Sequence, residues 1–324
     1  MEKIRIGIVG YGNVGKGAAM AVNAAPDMEL IAIFTRRDPG SLRTDEFTDK
    51  IVHINKAAEM KDEIDVMLLC GGSATDLAEQ GPQFAAMFNT VDSYDKHAKI
   101  PEYMASVNAV AKNTTAVIST GWDPGLFSIM RLISEAVLPS GKSYTFWGKG
   151  VSQGHSDAIR RIKGVKHAVQ YTIPAEDAVS AARSGAAPEL TARQKHLRDC
   201  YVAVEAGTDK AEIEKTIKTM PDYFAGYETT VTFVEADELF KNHNKMPHGG
   251  VVVRSGQTSD NKQIMEFSLK LESNPEFTGS IMTACARAAY RLSKEGQYGV
   301  KTVFDIPLNY FSEKNRDLLI KEML

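Results

Sequence analysis

Ile4-Arg5-Ile6-Gly7-Ile8-Val9-Gly10-Tyr11-Gly12-Asn13-Val14-Gly15 stands almost at the start of the chain, and its reading decides the fold. A run of β-branched residues feeds a Gly-x-Gly-x-x-Gly turn, and a small-residue helical segment, Lys16 to Ala25, follows at once. In that order each glycine is needed for a different reason. Gly10 makes the tight turn, Gly12 lets the backbone approach a pyrophosphate, and Gly15 lets the helix pack close to the strand. Phosphates would sit at the helix N-terminus, where unpaired N–H groups and the helix dipole favour negative charge. Glycine turns are common and the motif alone is weak. Strand, turn and helix in sequence make it a dinucleotide site, with Asn13 and Val14 of the turn among its cofactor-binding residues, rather than an ordinary βα turn.

The second strand, Met28-Glu29-Leu30-Ile31-Ala32-Ile33-Phe34, ends in Thr35-Arg36-Arg37. A site for NAD usually has Asp or Glu here to hold the ribose 2′-hydroxyl, whereas arginine accommodates the 2′-phosphate of NADP. Arg36 and Arg37 offer planar, always-charged donor forks with no acid at the strand tip, so the two motifs together favour NADP. Further on, Ile51 to Ile54 reads as a short strand, Asp65 to Cys70 as a buried parallel strand, and Thr90 to Asp92 and Ala116 to Ser119 as two more, with helices between them. Strands alternating with helices predict an α/β, Rossmann-type doubly wound parallel sheet. Ligands in such folds bind beyond the carboxyl ends of the strands. That rule flags Cys70, Gly71, Gly72 and Ser73; Asp92, Ser93, Tyr94 and Asp95; and the run from Thr120 through Gly121, Trp122, Asp123, Pro124 and Gly125.

Beyond Gly125 the pattern changes. A helix at Leu126 to Leu138 leads to strand-like runs at Tyr144 to Trp147, His167 to Ile173, Cys200 to Glu205, Tyr227 to Val234, Gly250 to Arg254 and Gln263 to Leu271. Two short helical patterns, Ala175 to Ser184 and Lys210 to Thr219, fall between the runs, and a long small-residue helix is expected from Ser280 to Lys294. This predicts a second, α+β domain with an open, largely antiparallel sheet. The expected division is 1–120 for the nucleotide-binding domain and 121–299 for a substrate-binding and dimerisation domain, with the tail from about 300 to 324 packing back on the first. The 324 residues are 43% apolar and 24% charged with a net charge of −3, which suits a soluble protein of two domains and points to neither nucleic acid nor membrane as a partner. The N-terminus runs straight into a core strand without an apolar leader, and Cys70, Cys200 and Cys285 are widely spaced in apolar segments, so packed thiols and a cytoplasmic protein are expected.

The chemistry-bearing residues gather in loops. Asp95 and Asp123 put acids at the mouth of the sheet, although an Asp in a loop is by default a turn former. Phe146 to Asp157 is glycine-rich and carries an indole (Trp147), an amide (Gln153), an imidazole (His155) and a carboxylate, dense enough in donors and acceptors for a binding surface; Ser156 and Asp157 are alternatively read as helix caps. Met246 to Gly250 is a further candidate loop, and Arg198 opens a strand. The sequence shows no Ser-His-Asp nucleophile motif, His-Glu-x-x-His or Cys-x-x-Cys pattern, so hydrolase and zinc readings fall away and no metal is expected. Residue chemistry stops at an NADP-dependent oxidoreductase with an acidic, aromatic pocket.

The motifs go further. Gly-Tyr-Gly-Asn at 10–13, Phe34 to Arg37, Gly72 to Asp76, Ser119 to Gly125, Phe146 to Gly148, Ser152 to Asp157, Ala168 to Thr172, Met220 to Phe224 and Met246 to Gly250 resemble the meso-diaminopimelate dehydrogenase family over nearly the whole chain. The resemblance implies reversible NADP-dependent oxidative deamination of meso-2,6-diaminopimelate at its D-configured carbon. The products would be L-2-amino-6-oxopimelate, ammonia and NADPH, made by a cytoplasmic homodimer serving lysine and peptidoglycan-precursor synthesis. It also implies that Asp95, Asp123, Trp147, Gln153 and Gly154 line the reacting D-end, that Thr172, Arg198, His248 and Asn274 hold the far carboxylate and amine, and that Asp123 or His155 manages the hydrolytic water. A related D-amino acid dehydrogenase of broader range, a reductase sharing the nucleotide domain, and a non-catalytic NADPH sensor are the alternatives.

Overall fold

The computed structural model describes residues 3–42, 46–73, 75–185 and 187–324; Ala74, inside the Gly72–Asp76 motif, lies outside them. The chain divides into two compact units, Met1–Ile129 with Pro275–Leu324, and Met130–Asn274. Among the described residues, none of the helices is long and apolar enough to cross a membrane.

The first unit begins with β1 (Ile4–Val9), α1 (Asn13–Ala24), β2 (Met28–Thr35), β3 (Ile51–His53), β4 (Val66–Leu69), α2 (Leu77–Ala85), β5 (Asn89–Asp92), α3 (Ile100–Val110) and β6 (Thr115–Val117). These strands run parallel. Their continuous apolar runs follow from cover on both faces. In β4, Val66 and Leu68 enter one core with Ile6 and Ile8, while Met67 and Leu69 enter the other with Val9 and Phe34.

Within α4 (Leu126–Val137) the chain passes into the second unit. There follow β7 (Gly141–Trp147), β8 (Gly150–Val151), α5 (Gln153–Arg160), β9 (Val165–Pro174), α6 (Glu176–Arg183), α7 (Ala192–Lys195), β10 (His196–Val204), α8 (Lys210–Thr219), β11 (Thr229–Phe233), α9 (Ala236–Asn242), β12 (His248–Thr258) and β13 (Asn261–Leu271). Where one open sheet was expected there are two: a four-stranded sheet ordered β11-β10-β9-β8 and a three-stranded antiparallel sheet ordered β13-β12-β7. The tight turn at Gly148 moves the chain between them, since β7 pairs with β12 and β8 with β9. Only the β10–β11 pair is parallel in these two sheets among the described residues. Helices α7 and α9 were not expected, and α5 starts ahead of the Ser156 and Asp157 caps that were the alternative reading there; each is eight residues or fewer, too short for periodicity to announce.

The chain then returns to the first unit through α10 (Asn274–Lys294), β14 (Gly299–Lys301) and α11 (Arg316–Met323). β14 pairs in parallel with β6, completing a seven-stranded sheet ordered β14-β6-β5-β4-β1-β2-β3 among the described residues. The unit boundaries differ from the 120/121 and 299/300 divisions read from sequence, and the packing of α10 explains the second difference. A Cβ on Gly17 of α1 would lie 2.6 Å from the Glu276 Cα, and one on Gly279 would lie 2.4 Å from the Ala18 nitrogen. The two helices therefore touch backbone to backbone, and Arg287 locks α10 further with a bidentate pair to Asp27 at 2.6 and 2.7 Å.

Candidate functional site

Each unit carries candidate residues of its own. In the first, Gly10 has φ +92° and its N–H donates to the Phe34 carbonyl at 2.8 Å, tying the turn to the end of β2. A Cβ on Gly15 would sit 2.0 Å from the Gly10 oxygen, so that position admits glycine alone. Gly12, the N-cap of α1, is the opposite: a Cβ there meets nothing within 4 Å. The space above this N-terminus is open, which is what a pyrophosphate needs. A cavity of about 310 Å³ adjoins it, lined by Tyr11, Thr35, Arg36, Arg37, Cys70 and Gly71 besides the turn glycines. The Arg37 N–H donates to Thr35 Oγ1 at 3.1 Å and its Nη2 to the Tyr11 carbonyl at 3.3 Å. Arg36 points its Nη2 at Asp76 Oδ1, 2.8 Å away. Turn, open N-terminus and arginines fit a phosphorylated dinucleotide.

The loops after β4, β5 and β6 are knitted together. Ser73 Oγ accepts from the Asp95 N–H at 2.9 Å, which brings those two predicted residues together, and the Asp95 side chain is exposed. Asp92 and Tyr94 were expected to face the cofactor, and their side chains turn inward instead. The buried Asp92 carboxylate accepts from the Tyr94 and Ser119 N–H groups, both at 3.0 Å, and from the Tyr103 hydroxyl at 2.7 Å. Burial pushes its pKa up despite those three bonds. Tyr94 is buried against Tyr103, ring centroids 4.2 Å apart. Both residues shape the loops because a carboxylate buried this deeply must consume nearby donors. Ser93 is half-buried; Gly121, Trp122 and Gly125 are buried, with Trp122 edge-on to Phe127, while Asp123 and Pro124 are half-exposed.

In the second unit, strand register does the gathering. Thr172 of β9 lies opposite Arg198 of β10, and Gly150 of β8 lies opposite Thr172 from the other side. Arg198 Nη1 donates to Thr172 Oγ1 at 2.6 Å, and the guanidinium sits 4.2 Å from the centre of the Tyr227 ring. Arg198 is only 8% exposed and its Nε has no hydrogen-bond partner among the described residues. Burial lowers its pKa, partly offset by Tyr227. The His248 ring covers Gly150, where a Cβ would come within 2.3 Å, and burial lowers the His248 pKa. Ser152 is the N-cap of α5, and its hydroxyl pairs with His155 Nδ1 at 2.7 Å rather than capping the helix. Gln153 and Gly154 are exposed in that first turn, and a Cβ on Gly154 would meet nothing within 4 Å. Like α1, this helix presents an open N-terminus. Ser156 and Asp157 are not its caps: both lie inside α5, Ser156 bonding back to the Ser152 carbonyl and Asp157 pairing with Arg160. Burial, then the nearby Arg198 charge, lower the His155 pKa to about 4. Asn274 closes the unit with its N–H on the Met246 carbonyl at 2.9 Å.

Sequence reasoning missed His196. Its buried ring stacks on Trp147 with centroids 5.2 Å apart, and its Nε2 accepts the Trp147 N–H at 2.9 Å. Tyr227, under Arg198, and Asp76, beside Arg36, were also missed. The only available signals were alternation along β10 for His196 and the Gly72–Asp76 motif for Asp76. Cys70, Cys200 and Cys285 are free, buried thiols, each pushed up to about 12 by desolvation. Among the described residues no group of three or more His, Cys, Asp or Glu could hold a metal ion.

Residues 121–273 match the model of the diaminopimelic acid dehydrogenase C-terminal domain. The meso-diaminopimelate D-dehydrogenase of Ureibacillus thermosphaericus is 60% identical, with all of both chains covered. A six-substitution mutant of the Clostridium tetani E88 meso-diaminopimelate dehydrogenase, solved with diaminopimelate, superposes with a TM-score of 0.94 at 54% identity over 99% of this chain and 100% of that one. An engineered D-amino acid dehydrogenase bound to NADP+ superposes with a TM-score of 0.87 at 43% identity over 99% and 100%. With matches of this extent at both ends of the molecule, the chain belongs to the meso-diaminopimelate D-dehydrogenase family.

Proposed function

We propose that this chain catalyses the reversible, NADP-dependent oxidative deamination of meso-2,6-diaminopimelate at its D-centre, giving L-2-amino-6-oxopimelate, ammonia and NADPH. The observation that carries the reading is Arg198. A buried guanidinium held by a hydroxyl and an aromatic face, with an orphaned Nε, is costly unless an anion meets it. A substrate carboxylate would satisfy it, and a substrate with a carboxylate at each end leaves the other end free to react.

When bound, NADP supplies the hydride acceptor, and the open N-terminus of α1 with Thr35, Arg36 and Arg37 would hold it. The residues of this chain then divide the substrate between them. Asp95 and Asp123 orient the D-ammonium and favour loss of its proton, which must precede oxidation of the carbon. Trp147 and the open first turn of α5 at Gln153 and Gly154 line the same end, the N–H groups there suiting a carboxylate. Thr172, Arg198, His248 and Asn274 hold the L-end. Asp123 or His155, the latter neutral at working pH, takes a proton from the water that replaces ammonia. The first unit thus binds nucleotide, the second binds substrate and forms the contact of a homodimer, and the protein works in the cytoplasm.

An NADPH-absorbance assay at alkaline pH tests the reading. meso-Diaminopimelate should support NADP reduction, a simple D-amino acid should do so slowly, and the L,L-isomer should not. No reduction with the meso isomer, or equal rates with all three, would overturn it.

A further inference from the structure

The arginine assigned to the 2′-phosphate is not alone in its cavity. Asp76 comes from the loop after β4, yet its Oδ1 lies 2.8 Å from Arg36 Nη2. Its other oxygen is fixed on its own loop, accepting from the Gly72 N–H at 3.0 Å and the Thr75 hydroxyl at 3.1 Å. The aspartate is therefore the rigid partner, with a side chain 17% exposed, and the arginine, 67% exposed, is the mobile one. The pair stands between two cavities. Both Arg36 and Asp76 line the 310 Å³ space beside the glycine turn, and both line a second space of about 360 Å³ that continues past Ile54 and Asn55 to Gln83. A ligand phosphate reaching Arg36 from the first cavity meets a fixed carboxylate at hydrogen-bond distance from its own anchor.

Dinucleotide sites that prefer NAD hold the ribose 2′-hydroxyl with an acid, and those that prefer NADP hold the 2′-phosphate with arginine. This chain has both groups, the acid arriving from a different strand. We propose that Asp76 is a cofactor-selectivity residue that opposes the arginines: it competes with the 2′-phosphate for Arg36 and offers an acceptor to an unphosphorylated ribose. The inference rests on the NADP reading above and adds to it a residue that limits the preference. Like charges a few ångströms apart disfavour the phosphate, and the exposure of Arg36 keeps the effect modest through solvent screening. Asp76→Asn keeps an acceptor for Gly72 and removes the charge; Asp76→Ser does the same with a smaller side chain, should the first variant fold poorly.

The test is calorimetric binding of two fragments, 2′,5′-ADP and 5′-AMP, followed by KM values for NADP and NAD. Removing the charge should tighten 2′,5′-ADP by about 3- to 10-fold, as expected for relief of a screened, exposed ion pair and its repulsion. Binding of 5′-AMP should stay level or weaken, so that the ratio of the two moves towards the phosphorylated ligand. In an Arg36→Gln background the gain for 2′,5′-ADP should shrink, because there is no shared arginine to release. Weaker or unchanged 2′,5′-ADP binding in both Asp76 variants, or equal changes for both fragments, would overturn the proposal. If the unmodified protein binds 5′-AMP as tightly as 2′,5′-ADP, the NADP reading itself fails, a result visible before any Asp76 variant is made.

Discussion

Two arginines, one in each unit, hold the same kind of cation in opposite settings. Arg36 of the nucleotide unit is mostly in water with an acid at 2.8 Å. Arg198 of the second unit is buried, with a hydroxyl at 2.6 Å and a ring face as its company. Water already solvates Arg36, so a phosphate arriving there exchanges one solvated pairing for another and gains little per contact. Arg198 has left water without acquiring an anion among the described residues, so a carboxylate arriving there relieves a desolvation cost the fold has already met. The exposed arginine can tune a preference; the buried one can enforce a requirement.

The largest expected effect comes from Arg198→Met. Truncating one partner of a desolvated charge pair costs about 2–5 kcal/mol, so kcat/KM for meso-diaminopimelate should fall by roughly 30- to several-thousand-fold. A D-amino acid with no distal carboxylate should be used as before or slightly better, and the ligand-free protein should melt higher because an uncompensated buried cation has gone. Equal losses on both substrates, with no rise in Tm, would make Arg198 an ordinary structural arginine and erase the contrast with Arg36.

Asp123→Asn should come next. A misoriented reacting group is a transition-state defect, so turnover at saturating substrate should drop by about 100-fold while NADP binding survives. Near-normal turnover would leave Asp123 as a turn residue before Pro124. Replacing Arg36 and Arg37 together with glutamine should weaken NADP by about 10-fold or somewhat more, the lower end of what charge-assisted contacts give, since solvent screens Arg36. NAD kinetics should scarcely move. A loss as large as that of Arg198→Met would show that exposure does not set the scale of these two sites.

The same contrast explains what could be read from sequence. The nucleotide unit announces itself because its determinants are local: glycines and arginines lie within a few residues of the strand that aims them. Its omission is Asp76, 40 positions from Arg36 in sequence and brought beside it only by the parallel order of β1, β2 and β4. In the second unit little is local. Thr172 and Arg198 are 26 residues apart and meet through antiparallel register, and residue chemistry alone had Arg198 as a strand opener. Family motifs supplied its role before any geometry did. Asp92 went the other way: its position at a strand end suggested a ligand, and only burial with Tyr103 reveals a carboxylate that holds loops together.

The smallest effect expected is a pH effect, at a histidine that supports Trp147. The His196 Nε2 accepts the Trp147 N–H, and its Nδ1 faces the Ala192 carbonyl at 3.2 Å, which fixes a neutral ring with the proton on Nδ1. Protonating Nε2 would strand a backbone donor and place a cation near Arg198 and Lys195. Burial, aided by those charges, lowers the pKa to about 4, from 6.5 for an ordinary histidine. Between those values the unfolded chain binds the proton and the folded chain does not, so stability should fall as pH drops from 6.5 towards 4. His155, lowered to about 4 in the same way, contributes in the same window and direction. His196→Gln keeps an acceptor within reach of the Trp147 N–H but cannot titrate. Its Tm should therefore decline less steeply than that of the unmodified protein across this window, with the two curves drawing together above pH 7. Parallel curves throughout would mean that His196 titrates alike in the folded and unfolded chain, and that Trp147 is held by its surroundings rather than by this ring.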